Sequence, residues 1–145
     1  MTEWISPVYD RTQADVDYAM AQLKIGKSDK EYKGCFTVTD INRIENNCRY
    51  ISDRLNVLAY SNTIETRTWD ISDIPNVTDI ARLINNVAIL IEAFPLSEDA
   101  PALPETLLHY EQVNALEKNI YLLKHQVDIK ENEFRHCGTF NCGEG

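Results

Sequence analysis

Three stretches of the chain share one register: DINRIENNCRYI (Asp40–Ile51), DIARLINNVAIL (Asp79–Leu90) and QVNALEKNIYLL (Gln112–Leu123). In the first, Ile41, Ile44, Cys48, Ile51 and Leu55 are apolar. The same offsets give Ile80, Leu83, Val87, Leu90 and Phe94 in the second, then Val113, Leu116, Ile120, Leu123 and Val127 in the third. Steps of three and four residues put these side chains on one seam of an α-helix, whereas the period of two in a strand would scatter them over both faces. The copies start at residues 40, 79 and 112, a spacing typical of helical repeats or duplicated hairpins. The predicted fold class is therefore all-α, with three long helices plus one short N-terminal helix in a bundle.

Each copy also carries an Asn just before its third seam residue: Asn47, Asn86 and Asn119. Asn is a poor helix former, so its recurrence points to a role beside the seam, either an interhelical hydrogen bond or plain solvation. Arg43 and Arg82 also match between copies, while Ala115 breaks that pattern.

Punctuation sets the boundaries. Thr12 and Asp15 form a capping box for the short helix, with Val16, Met20 and Leu23 facing inward and Gly26 ending it. Thr39 is expected to cap the first long helix, which faces inward from Ile41 to Leu58. Asp73 is expected to cap the second, with Pro75 in its first turn. The run VAILIEAF, Val87–Phe94, is apolar nearly all round and marks the second copy as the central helix. The third helix follows Pro101 and Pro104 and stays periodic through Tyr110 and Val127 towards Phe134. About 30 helical residues span roughly 45 Å, so part of it should project or meet another chain. TIETRTW, Thr63–Trp69, is β-prone but isolated, and reads as an extended connector. One domain results: an extended N-terminal arm over 1–11, a helical bundle over 12–134, and a Gly-rich C-terminal tail over 135–145, HCGTFNCGEG, that should not continue a helix.

Composition narrows the function classes. The chain has 145 residues, 14 Lys+Arg against 23 Asp+Glu, a net charge of −9 and 43% hydrophobic residues. It can bury a sizeable core, which disordered chains cannot. An acidic chain lacks the basic face that nucleic acid needs, so no nucleic acid is expected. No apolar run approaches the roughly 18 residues of a membrane span, and the N-terminus does not read as a secretory signal, so neither a membrane nor secretion is expected. The four cysteines, Cys35, Cys48, Cys137 and Cys142, are then expected as free thiols.

Chemical motifs are sparse. His136, Cys137 and Cys142, with His125 upstream, are the residue types that bind zinc, but the Cys-x4-Cys spacing has no matching second pair. There is no nucleophile elbow, phosphate loop or HExxH helix, and Gly26-Lys27-Ser28 lacks the earlier glycine of a phosphate loop. Glu45 and Glu117 are equivalent in the repeat, but a di-metal cluster needs His three residues on, where Cys48 and Ile120 stand. The acids are thus expected on solvated helix faces. No enzyme activity, catalytic residue, cofactor or metal is assigned. Aromatic and apolar residues outside the seam are instead candidates for partner contact: Trp4, Val8 and Tyr9 in the arm, and Phe134, Phe140 and Cys142 at the far end. The competing expectation is that the arm folds back as a lid on its own bundle.

The opening W-x-x-P-V-x-D-R-T-x-x-D-V, Trp4–Val16, and the helix DINRIENN, Asp40–Asn47, resemble small proteins encoded among tail genes of phages and prophages of Gram-positive bacteria. So do WDISDIP at Trp69–Pro75, P-x-L-P at Pro101–Pro104 and GTFNCGE at Gly138–Glu144, in the same order along nearly the whole chain. The resemblance implies a non-enzymatic structural or assembly component of a tail, baseplate or receptor-binding apparatus. Its partners would be other tail or baseplate proteins and further copies of itself in a ring or trimer. It would be found in the host cytoplasm during assembly and then in the virion. A rival expectation is a soluble acidic accessory protein that binds a host or phage partner and is absent from the particle.

Overall fold

A computed structural model describes residues 2–28 and 30–139, the side chains of 135–139 excepted. Four helices follow one another: α1 (Gln13–Lys24), α2 (Val38–Val57), α3 (Val77–Ala93) and α4 (Tyr110–Thr139). Among the described residues there is no strand. The fold is all-helical, as the repeated seam predicts.

The three seams make the core. Thirteen of the fifteen seam side chains are buried, and only Ile80 and Phe94 are half-buried. Burying a Val, Leu or Ile side chain stabilises by about 1.5–3 kcal/mol, so this stripe dominates the apolar driving force. Trp69, from the connector before α3, joins the same cluster at 4% exposure.

The helices of the core run parallel. Arg43, the fourth residue of the α2 copy, bonds to Glu117, the sixth of the α4 copy, and Arg82 on α3 bonds in the same way to Glu45 on α2. Near the other end, Arg54 of α2 pairs with Glu131 of α4. An antiparallel pair would instead join early residues to late ones. Parallel neighbours need a crossover to bring the chain back, and residues 58–76 and 94–109 do this without helix or strand. The arm, residues 2–12, lies across α2 and α4 in the same manner. These three extended segments are called straps below.

Several boundaries differ from the expected ones. The N-cap of α2 is Thr37, whose N–H donates to Asp40 Oδ2 at 2.8 Å, while Thr39 lies inside the helix and donates to Glu31. The N-cap of α3 is Asn76, in a reciprocal pair with Asp79 (2.9 Å each way). Asp73 stays in the strap, accepting from Asp70 N–H, and Pro75 precedes the helix. Both shifts have one cause: an acid three residues after the cap closes the box, and Asp40 and Asp79 are those acids. The capping box of Thr12 and Asp15 is present as expected. Hydrogen bonds from Thr12 hold the Asp15 carboxyl below its ordinary range.

The central helix is α2, not α3. Ten α2 residues are buried against four in α3, because straps as well as helices cover α2. In the apolar run 87–94, Val87 and Leu90 are buried and Ile91 and Phe94 pack half-buried against the same core. The tail does not begin at 135, since α4 runs through Gly138 to Thr139. A helical glycine costs about 1 kcal/mol relative to Ala, which a long helix tolerates. The α4 position equivalent to Val57 is Ile129, so its last ten residues extend about 15 Å past the end of α2.

Helix α1 sits apart. Only Ala19 is buried, while Met20 and Leu23, expected inward, are 53% and 42% exposed. Its anchorage is a close approach at Gly34, where an added Cβ would stand 2.3 Å from Asp15 O and 2.6 Å from Val16 Cα. Backbone atoms yield little, so Gly34→Ala should lower stability by about 1–3 kcal/mol in urea unfolding. An unchanged midpoint would show that α1 is not held there.

Candidate functional site

The straps carry backbone N–H and C=O groups that no sheet satisfies, and side chains from the helices satisfy them instead. Asn47 does this for the arm: its amide donates to Ile5 O (2.7 Å) and accepts from Ile5 N–H (3.1 Å). Asn86 donates to Glu65 O (2.7 Å) in the second strap, and Asn119 to Pro101 O (2.9 Å) in the third. All three are buried, so the recurrent Asn is a strap clamp and not a link between helices. Asn114 repeats the two-way grip on Arg11, and Asn42 on Trp69.

Two buried carboxylates reinforce the clamps. Glu117 is 0% exposed. Its Oε1 accepts from Val8 N–H (3.3 Å) and Arg43 Nε (2.7 Å), and its Oε2 from Arg11 Nη1 (3.0 Å) and Arg43 Nη2 (2.9 Å). Asp40 Oδ1 accepts from Arg11 Nη2 (2.8 Å) and Arg43 Nη2 (2.6 Å), closing a four-residue charge cluster. Arg11 also donates to Val8 O and Lys33 O. Burial alone would lower the Arg43 pKa, but Glu117 and Asp40 outweigh it and hold that guanidinium above its ordinary value.

Glu45 is the second such centre. Arg82 forks onto both its oxygens at 2.8 Å, and Oε2 also accepts from Arg67 N–H and Trp69 Nε1, both at 2.9 Å. One rule covers both acids: each takes a strap N–H and the Arg from a neighbouring copy. At the remaining junction, between α3 and α4, both partners are replaced together, by Ile84 at the acid position of the second copy and Ala115 at the Arg position of the third. The acids expected on solvated faces are therefore, at Glu45 and Glu117, inside the protein. Sequence reading matched Glu45 with Glu117 and Arg43 with Arg82. Their pairing with each other needs the parallel arrangement, which the repeat alone does not specify.

Each of these glutamates accepts four hydrogen bonds, about the capacity of a carboxylate. No buried side-chain N or O atom among the described residues lacks a partner. Such groups hold backbone in place. Cys48 sits 0% exposed on the seam, and burial, with Glu45 nearby, pushes its thiol up to about 12. Cys35 and Cys48 are free, as expected; Cys142 and the side chains of His136 and Cys137 lie outside the described residues. His125 stacks on Tyr121.

The expected contact residues divide into three groups. Trp4 packs on Tyr50 (5.6 Å between rings), Tyr9 on Tyr121 (5.2 Å), and Val8 N–H bonds to Glu117, so the arm folds onto its own bundle. Phe134 is 53% exposed on the α4 extension. Phe140 and Cys142 lie outside the described residues. The most exposed aliphatic side chains are Ile71, Ile74 and Val77, at 86–90%, Val57 at 84% and Leu108 at 80%. Because the helices are parallel, Ile71, Ile74, Val77 and Leu108 share the end of the bundle where α3 and α4 begin, while Val57 closes α2 at the other end.

Two surface clefts border the straps and α1. One of about 420 Å³ lies along α2 between the arm at Ile5 and the strap at Thr66–Thr68. The other, about 530 Å³, lies at the start of α4 between Val16, Phe36, Leu107 and His109. No family model, curated protein or solved structure matches this chain.

Removing one partner from a buried ion pair leaves an uncompensated charge, so Glu117→Gln should cost about 3–5 kcal/mol in denaturant unfolding. A Glu117→Leu/Arg43→Met double variant should cost less than the sum of its two single changes. Additive losses would show that the groups act independently. The Cys48 thiol is raised in the folded state, so its contribution to stability is intact below the unfolded value of 9.0 and is lost as pH rises from there towards about 12. At pH 8, Cys48 should resist iodoacetamide until the protein unfolds, with labelling followed by peptide mass spectrometry. Rapid native labelling would place it outside the core.

Proposed function

We propose that this chain is a non-enzymatic assembly module that acts through contacts with other proteins and with copies of itself. The observation that carries the reading is the group of exposed aliphatic side chains at one end of the bundle, Ile71, Ile74, Val77 and Leu108, in a molecule whose buried glutamates hold its own straps. Exposed apolar patches of this kind mark protein interaction sites. The resemblance of Trp4–Val16 and of the later motifs supplies the setting: a phage tail, baseplate or receptor-binding apparatus, assembled in the host cytoplasm and carried into the virion.

The interface proposed here differs from the one expected of the arm. Trp4, Val8 and Tyr9 pack in cis, so the contact role passes to the α3-end cluster, with Phe134 on the α4 extension as a second point. Among the described residues no helix is long and apolar enough to cross a membrane. The second reading, an acidic accessory protein absent from the particle, is favoured by the net charge of −9.

Peptide mass spectrometry of purified particles separates the two: stoichiometric presence supports the structural role, and absence overturns it. Ile71→Ser with Ile74→Ser should leave the melting temperature unchanged, since both side chains are already exposed, and should lower the mass of the assembled species in light scattering. If mass is unchanged in that variant, the cluster is not the contact surface.

A further inference from the structure

The cleft beside α2 contains a cation that the protein does not use in pairing. Arg11, Arg43, Arg54, Arg67 and Arg82 each pair with a carboxylate. Arg49, exposed on α2, has no acidic partner among the described residues, although the chain has more acids than bases. Its guanidinium donates from Nε and Nη2 to a single acceptor, Thr66 Oγ1 (2.9 Å from Nε), which fixes it at the cleft wall and leaves further N–H donors over. Arg67, stacked 3.9 Å over Trp69 and 3.4 Å from Asp73, lines the same cleft. The lining thus holds three guanidiniums, at Arg43, Arg49 and Arg67, against one carboxylate, Glu45, whose oxygens are already occupied.

A second observation concerns the strap that forms one wall. Glu65 O, Arg67 N–H and both backbone groups of Trp69 bond to side chains of α2 and α3. The backbone groups of Thr66 and Thr68 bond to nothing among the described residues. Unpaired backbone of this kind is a template for an added extended segment. Charge then selects the segment. With a Debye length of about 8 Å at physiological salt, Arg49 acts locally, while the net charge of −9 still opposes a polyanion.

We propose that this cleft docks an extended peptide segment bearing a single carboxylate, its backbone pairing along Thr66–Thr68 and its carboxylate meeting Arg49. The inference shares with the proposed function the premise that the chain works by binding. Oligomer mass reports on Ile71 and Ile74 and the titration below on Arg49, so either can fail alone.

The test titrates the isotope-labelled full chain with pools of capped pentapeptides, randomised at four positions and carrying Glu or Gln at the centre. The Glu pool should shift the Arg49, Thr66 and Thr68 amide resonances saturably, and the Gln pool should bind about tenfold more weakly or worse. Arg49→Gln should reproduce that loss, while Lys24→Gln, the same charge change on α1, should not. The proposal is overturned if the Glu pool gives no saturable shift, if the two pools bind alike, or if Lys24→Gln weakens binding as much as Arg49→Gln does. Because the Gln pool leaves the protein untouched, a folding defect in Arg49→Gln cannot decide the outcome.

Discussion

Parallel packing of α2, α3 and α4 is the constraint from which the remaining structure follows. Helices pointing the same way oblige the chain to travel back along the bundle between them, in segments too isolated to pair as a sheet. The peptide groups of those segments that face the helices still need partners once water is displaced. The helices supply it through a short set of side chains: Asn42, Asn47, Asn86, Asn114 and Asn119 as amide clamps, and Glu45 and Glu117 as acceptors. In this setting Asn, disfavoured by helix propensity, is kept for what it holds.

The arginines complete the arrangement. A buried carboxylate accepting only a strap N–H would carry an uncompensated charge, so Arg43 and Arg82 from neighbouring copies neutralise Glu117 and Glu45. Charged pairs of this kind are weak sources of net stability against a hydrophobic replacement, and their best-attested use is to fix register. The junction between α3 and α4 is consistent with that division: Ile84 of the second copy and Ala115 of the third stand where an acid and a base would be, and the clamp there is left to Asn119. Two charged junctions and one apolar one make the three grooves chemically distinct.

Much of this fold could be read from the residues. The step of three and four residues in the repeats marked all fifteen seam positions, and the capping box at Thr12 was visible as a pattern. Less legible was everything that depends on direction. Periodicity reports which face of a helix is apolar and is silent on whether its neighbour runs up or down. Sequence pattern alone therefore points the acids to solvent and the Asn to an interhelical bond or water, and gives Arg11 no structural role, although it is 5% exposed and touches Asp40 and Glu117. Trp69 likewise looked like part of a connector motif, because its burial comes from a strap that only the tertiary structure presses onto the core. The displaced caps at Thr37 and Asn76 were readable in principle, since Asp40 and Asp79 stand three residues after them.

The bond from Val8 to Glu117 joins residues 109 positions apart. A hairpin bundle gathers its contacts from nearby sequence and folds quickly, whereas this topology rewards almost nothing until distant segments meet, a circumstance that slows folding. During synthesis the arm leaves the ribosome 109 residues ahead of its acceptor on α4. Until then Arg11 and the arm have no native seat, and the nascent chain must carry the unmatched guanidinium and the loose apolar residues of Trp4–Val8 in open water.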